Sequence, residues 1–295
     1  MNANPMNHIT VRKLRFAFDE TQTRQPIWSK SSPEFAMFIN ALGVDVPHFE
    51  RFLVQVMRTF RNEIQDQGLL KDVQAIIGQE SHHAFNFTKW NAELAKRYSK
   101  LTEIDGNTKQ HFEHVLESKS KKYQIGFTAG YETFTFLGGL IILDRYQELM
   151  GDADPVIRAM WVWHQVEEVE HGAVAHDFYQ LFYSECEWYR KAMVCRAFFH
   201  ILSETFKSYR HMVQVEHYYE SPGRALKAWG FFVSFGWDLA YSALPVLLKN
   251  YHPKNHPICN NKQNKIAVAW RKHFESGNDI LSLSDELMAG MQVSE

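Results

Sequence analysis

Trp163-His164-Gln165-Val166-Glu167-Glu168-Val169-Glu170-His171 is the stretch whose reading decides the fold. At about 100° per residue, His164, Glu168 and His171 fall on one narrow helical stripe. Val162, Val166, Val169 and Val174 flank that stripe, so it faces an interior. Three buried ionisable side chains are each costly unless paired or coordinated, and metal binding resolves the cost. Glu168 and His171, three residues apart, can reach one ion from the same helix face. The same spacing recurs upstream in Glu80-Ser81-His82-His83.

Two helices with that spacing call for one further carboxylate from each of two more helices. In an antiparallel pair, residues at equal depth are equidistant from the connecting turn. Glu132 and Glu168 centre on residue 150, within the turn Met150-Gly151-Asp152-Ala153-Asp154-Pro155. Glu50 and Glu80 centre on residue 65, three residues before Gly68, whereas the midpoint of Glu63 and Glu80 falls inside the second helix. Glu132 also lies in the apolar run Gly130-Tyr-Glu-Thr-Phe-Thr-Phe-Leu137, where a lone carboxylate is expensive. The expected metal ligands are therefore Glu50, Glu80, His83, Glu132, His164, Glu168 and His171. His82 and His176 read as ordinary buried groups or groups supporting the ligands, His200, Glu204 and His211 as core or surface polar groups, and His252 and His256 as shaping a turn. Thr128, Thr135 and Phe136, around Glu132, are candidates for a pocket lining.

This pattern resembles the ferritin-like di-iron carboxylate proteins, and His164, four residues before the last Glu-x-x-His, is similar to the extra ligand of their arylamine N-oxygenases. A closer resemblance joins Phe38-Ile-Asn-Ala-Leu42, Pro47-His-Phe-Glu-Arg-Phe52, Gly78-Gln-Glu-Ser-His-His83, Thr128-Ala-Gly-Tyr-Glu132, Trp163–His171 and His252-Pro253. Together they resemble the bacterial family labelled predicted metal-dependent hydrolase, over residues 10–257. Phe87 stands where that family is expected to carry a further histidine. The resemblance implies an all-α, ferritin-like four-helix core with additional C-terminal helices. It also implies a pair of metals: two irons first, manganese or a mixed manganese–iron pair next, zinc last. The expected function is a di-iron oxidoreductase using dioxygen, a small organic substrate and an electron donor. A metal-dependent hydrolase acting through a metal-activated water is the alternative, and a non-catalytic metal-binding protein the third reading.

Composition narrows the rest. The chain has 295 residues, 45% of them hydrophobic, enough for a sizeable core. Its 32 basic and 34 acidic residues leave a net charge of −2, which argues against a nucleic-acid binder. Three cysteines without a CxxC pair exclude a disulfide scaffold and a thiolate zinc site. The first twenty residues carry no secretory apolar run, so a cytoplasmic protein is expected. Residues 228–248 are apolar and read as a buried or membrane-surface helix, a peripheral membrane contact; a homodimer is a further expectation.

Along the chain, residues 1–46 form an N-terminal arm, with a short strand or extended stretch at 9–18. Residues 47–257 form the metal-binding helical domain with covering helices, and 258–295 a helical tail. Long helices are expected at about 46–66, 70–99, 123–149, 155–182, 187–219 and 224–249, with 100–121 an exposed crossover holding one short helix. Asp154 is the expected N-cap ahead of Pro155.

Overall fold

The computed structural model describes residues 4–18, 24–259 and 263–293. Among them lie twelve α-helices and no strand, so the all-α expectation holds. Helices α1 (Pro33–Gly43), α2 (Val46–Phe60) and α3 (Gln67–Arg97) open the chain, followed by α4 (Leu101–Ser118) and α5 (Lys121–Asp144). Then come α6 (Tyr146–Met150), α7 (Pro155–His171), α8 (Val174–Tyr183), α9 (Glu187–Val215) and α10 (Pro222–Ser242). Helices α11 (Lys265–Glu275) and α12 (Asp285–Val293) end it.

The site lies among α2, α3, α5 and α7. Helix α2 packs on α3 and α5, and α7 packs on α5 and α3, so the four enclose one interior. Helix α9 covers the outer side of α5, and α1 packs against α9. Local chemistry fixes the register of the two hairpins. Asp66 accepts the Leu69 amide at 2.7 Å to start α3. Asp154 accepts the Val156 and Ile157 amides at 2.9 and 3.0 Å, with Pro155 at the first helical position, as expected.

Several boundaries differ from the sequence reading. The segment 100–121 is not an exposed crossover but the 18-residue helix α4. Its buried Leu101, Thr108, Phe112 and Val115 form a narrow stripe hidden among charges. The helix expected at 123–149 breaks at Arg145 into α5 and α6. That expected at 155–182 breaks after His171, where a Cβ on Gly172 would stand 2.6 Å from the Phe136 ring. The span 228–248 is not one helix either, because α10 stops at Ser242 and a 3-10 turn covers Leu244–Leu247. Among the described residues, the helix long and apolar enough to cross a membrane is α5, and it is mostly buried within the protein.

Residues 8–18 are extended rather than a strand. Side-chain amides of α3 take the place of a pairing strand. Asn86 accepts the Phe16 amide at 3.1 Å and donates to Leu14 O, while Gln79 donates to Thr10 O at 3.1 Å. This lays Arg12 across α3 and α7.

Candidate metal centre

All seven residues singled out in the sequence converge, and all are buried. Glu50 comes from α2, Glu80 and His83 from α3, Glu132 from α5, and His164, Glu168 and His171 from α7. They form two groups, Glu50–His83–His164–Glu168 and Glu80–Glu132–Glu168–His171, each with its candidate ligand atoms within 4.8 Å of one another. Two carboxylates face both ways. Glu168 places Oε1 3.1 Å from His164 Nε2 and Oε2 3.1 Å from His171 Nε2. Glu80 places Oε2 3.5 Å from His83 Nδ1 and Oε1 3.1 Å from His171 Nε2. Glu50 faces only the first group, 3.3 Å from His164, and Glu132 only the second, 3.2 Å from His171.

The donor set fits divalent ions. Glu50 Oε2, both oxygens of Glu80, Glu132 Oε2 and His83 Nδ1 are buried without a hydrogen bond. Orphaned buried acceptors are rare in native proteins and call for an explanation such as an ion. Their electrostatics agree. Burial, then the neighbouring carboxylates Glu80, Glu168 and Glu132, holds Glu50 well above its ordinary value. Burial lifts Glu132 to about 8 against the pull of His171. Glu168 overcomes its burial through His171 and His164 and stays well below its ordinary value. His83 is raised to about 9, with Glu167 and Glu80 outweighing burial. Left to themselves Glu50, Glu132 and His83 hold protons that divalent cations would displace, while Glu168 is already ionised.

A layer behind the cluster orients the imidazoles, and the sequence reading missed it. His83 Nε2 donates to Glu167 at 2.9 Å, which leaves Nδ1 facing the cluster. His171 Nδ1 donates to Gln79 Oε1 at 3.0 Å, which leaves Nε2 facing the cluster. Gln79 Nε2 in turn donates to Glu170 at 3.2 Å. Arg12 closes both paths, donating to Glu167 at 3.0 Å and to both oxygens of Glu170 at 2.8 Å. Its guanidinium lies 5.1 and 5.3 Å from the ring centres of Trp270 and Phe274 on α11. The signal was present in α7, where Glu167 and Glu170 are as buried as Glu168 and equally in need of partners.

An apolar cavity of about 50 Å3 reaches His164 and Gln165. Thr135 lines it as expected, and Thr135 Oγ1 lies 3.4 Å from Glu132 Oε1. Thr128 is buried outside that lining, and Phe136 packs instead against Gly172 and His256. Asp45 and Tyr131 bring polarity to the wall. Tyr131 bonds to Asp45 Oδ2 at 3.0 Å and to His200 Nδ1, and Asp45 Oδ1 has no partner. Burial raises Asp45 to about 7 and lowers His200 to about 3. His200 is thus a polar group of the core that bonds to Tyr131 beside the cavity wall, in line with the sequence reading.

His176, Asp177 and His252 form another close group. His252 Nδ1 accepts the Lys254 amide at 3.2 Å, so its Nε2 carries the proton and donates to Asp177 at 2.9 Å. That is a hydrogen-bonded pair closing a turn, in line with the sequence reading of His252. His82, off the ligand stripe, is half-buried beside Arg15 and has no part in either metal group.

The model of the family described as predicted metal-dependent hydrolase matches residues 10–258. The chain belongs to that family. The matched region contains all seven converging residues together with Arg12, Gln79, Glu167 and Glu170. Helices α11 and α12 lie beyond it. No curated protein and no solved structure matches the chain.

Proposed function

We propose that this chain is a hydrolase with a dinuclear metal centre in a ferritin-like four-helix core. The observation that carries the reading is the split of Glu80 and Glu168, each with one oxygen toward either group of ligands. Glu50, His83 and His164 would hold one ion, Glu132 and His171 the other, and Glu80 and Glu168 would be shared. Mixed carboxylate and imidazole donors suit iron, manganese or zinc better than soft ions. When bound, such a pair polarises a substrate oxygen and makes a water nucleophilic at neutral pH.

The remaining work falls to the chain. Glu167 and Gln79 hold the two imidazole tautomers, and Arg12 holds Glu167 and Glu170. The apolar cavity receives the hydrocarbon part of an ester or amide and keeps bulk water out. Asp45, facing that cavity with its value near 7, holds or releases a proton at Oδ1 around neutral pH. The cavity also favours a second reading, a dioxygen-dependent oxidase or oxygenase of a small organic substrate, since a dry apolar wall protects a reactive oxidant.

One experiment separates them. The purified chain is analysed for metal, loaded anaerobically with iron, manganese or zinc, and assayed against ester and amide panels and for dioxygen uptake. Turnover of an ester or amide without dioxygen supports the hydrolase. Dioxygen uptake by the iron form, with no hydrolysis, transfers the assignment to the oxidase. Metal-free protein that takes up none of the three ions overturns both.

A further inference from the structure

Helices α9 and α10 expose a run of large apolar side chains. On α9, Trp188, Phe199 and Phe206 point outward, and on α10 Leu226, Val233, Trp237 and Tyr241 follow at helical spacing. Trp188 is 82% exposed and Trp237 69%. The two stripes are continuous, because Phe206 packs on Trp229, Leu202 lies against Gly236, and Arg190 bonds to Val246 O at 2.8 Å. The last contact places exposed Leu244, Leu247 and Leu248 close to the start of α9. Soluble surfaces rarely carry so contiguous an apolar face without a partner.

Charge selects the partner. Residues 187–249 hold eight basic and five acidic residues, a net of +3 within a chain of net −2. The acids are tied up locally: Glu187 with Arg190, Glu204 with Lys207, Glu216 with Arg97, Glu220 with His217, and Asp238 with Arg145. Arg210 and Lys249 are exposed, and neither has an acidic partner among the described residues. A second copy meeting this face about a two-fold axis would set the same positive charge against itself. A bilayer bearing anionic headgroups satisfies both the apolar stripe and the cations. Trp188, Trp237 and Tyr241 are residue types that settle at a membrane interface.

We infer that the α9–α10 face docks in the plane of an anionic lipid bilayer. The helices lie on the membrane rather than across it, since their opposite faces pack on α1 and α5. Ile201 of α9 and Phe235 and Leu239 of α10 turn inward to wall the apolar cavity beside His164. The same two helices thus stand between the lipid and the site. On the metalloenzyme reading, and resting on it, the substrate class becomes a molecule with a hydrocarbon chain taken from the membrane.

The test mixes the full-length chain with vesicles of phosphatidylcholine alone or of phosphatidylcholine with phosphatidylglycerol. Flotation and tryptophan emission are the readouts. Expected are co-flotation and a blue shift with the anionic vesicles, about tenfold weaker partitioning to neutral ones, and release by salt. The W188S/W237S double variant, whose changes are on the surface, should fold and keep its metal content yet lose about tenfold in partitioning. Equal binding to both vesicle types, or none to either, overturns the inference. So does a wild-type dimer in light scattering that the double variant turns into a monomer while vesicles leave the wild type in solution. Vesicle binding without turnover would leave the docking in place and count only against the proposed function. Turnover without vesicle binding would do the reverse.

Discussion

Glu167 and Glu168 adjoin in sequence and face different surroundings, because one helical residue turns the side chain by about 100°. Glu168 lies among the three histidines and the other carboxylates, while Glu167 turns to His83 Nε2 and Arg12. Substitution should expose this division. Glu80→Ala and His171→Ala, each removing a donor to a shared ligand group, should lose most of the bound metal, whereas His82→Ala should retain it. Elemental analysis of the three purified variants decides, and equal metal in all would sink the ligand assignment. Asp45 gives a pH-linked prediction. Its folded value of about 7 lies above its ordinary 3.8, so between these limits the folded chain keeps a proton that the unfolded chain has released. Asp45 therefore favours folding fully at the acid end, and stability falls as the pH rises toward 7. Asp45→Asn, which can still accept from Tyr131, should melt a few degrees above the wild type near pH 8 and close to it near pH 4. A difference that does not vary with pH, read by calorimetry, would refute the assignment of this slope to Asp45.

Among the elements, α5 is held closest by its neighbours. A Cβ on Gly130 would stand 2.6 Å from the Met193 carbonyl oxygen of α9, and backbone cannot yield as a side chain can. Gly130→Ala should thus destabilise by about 1–3 kcal/mol in denaturant titration. Gly106, in α4 with open space around it, is the control: alanine there should stabilise by about 0.5–1 kcal/mol. Loss of stability in both would show that the approach of Met193 O is not what sets the effect at Gly130. The same elements show what the sequence could and could not disclose. Glu50 and Glu132 were placed by their equal distance from a turn, because antiparallel helices convert numbering into depth. The short helix expected within 100–121 proves to be the 18-residue α4, its length hidden because five charged side chains mask a stripe only one residue wide per turn. The break after His171 was hidden because Gly172 keeps helical dihedrals, and the Phe136 ring that leaves room only for glycine there comes from another helix. Arg12 gave no local sign of its role, being 155 residues from Glu167.

In the whole molecule, the segments at the two ends of the described chain meet over the site. Arg12 comes from the extended N-terminal stretch, Glu167 and Glu170 from α7, and the covering Trp270 and Phe274 from α11. Arg271 adds a second cation 3.5 Å from Glu170. Removing Arg12 leaves buried Glu167 without a guanidinium and Glu170 with Arg271 alone at 3.5 Å, so Arg12→Met should cost about 3–5 kcal/mol. The R12M/E167Q/E170Q triple variant should recover part of that, since neither carboxylate is then left charged in the interior. The C-terminal segment is bound in just as firmly. Arg158 of α7 is buried, donates from Nε to Leu283 O at 2.9 Å and pairs with Asp285 at 2.6 Å, and the Leu283 amide returns a bond to Pro155 O. A chain ended at Ile258, retaining the whole family match, would strip Arg158 of its carboxylate and Arg12 of its aromatic cover. It should melt well below the full chain. Its metal affinity should fall by about 10–100-fold, because the carboxylate and amide that orient His83 and His171 would be opened to water. Isothermal titration of the metal-free forms at a temperature where both remain folded measures the second effect apart from the first. Equal affinity and equal melting in the two chains would reduce α11 and α12 to an appendage with no hold on the metal centre.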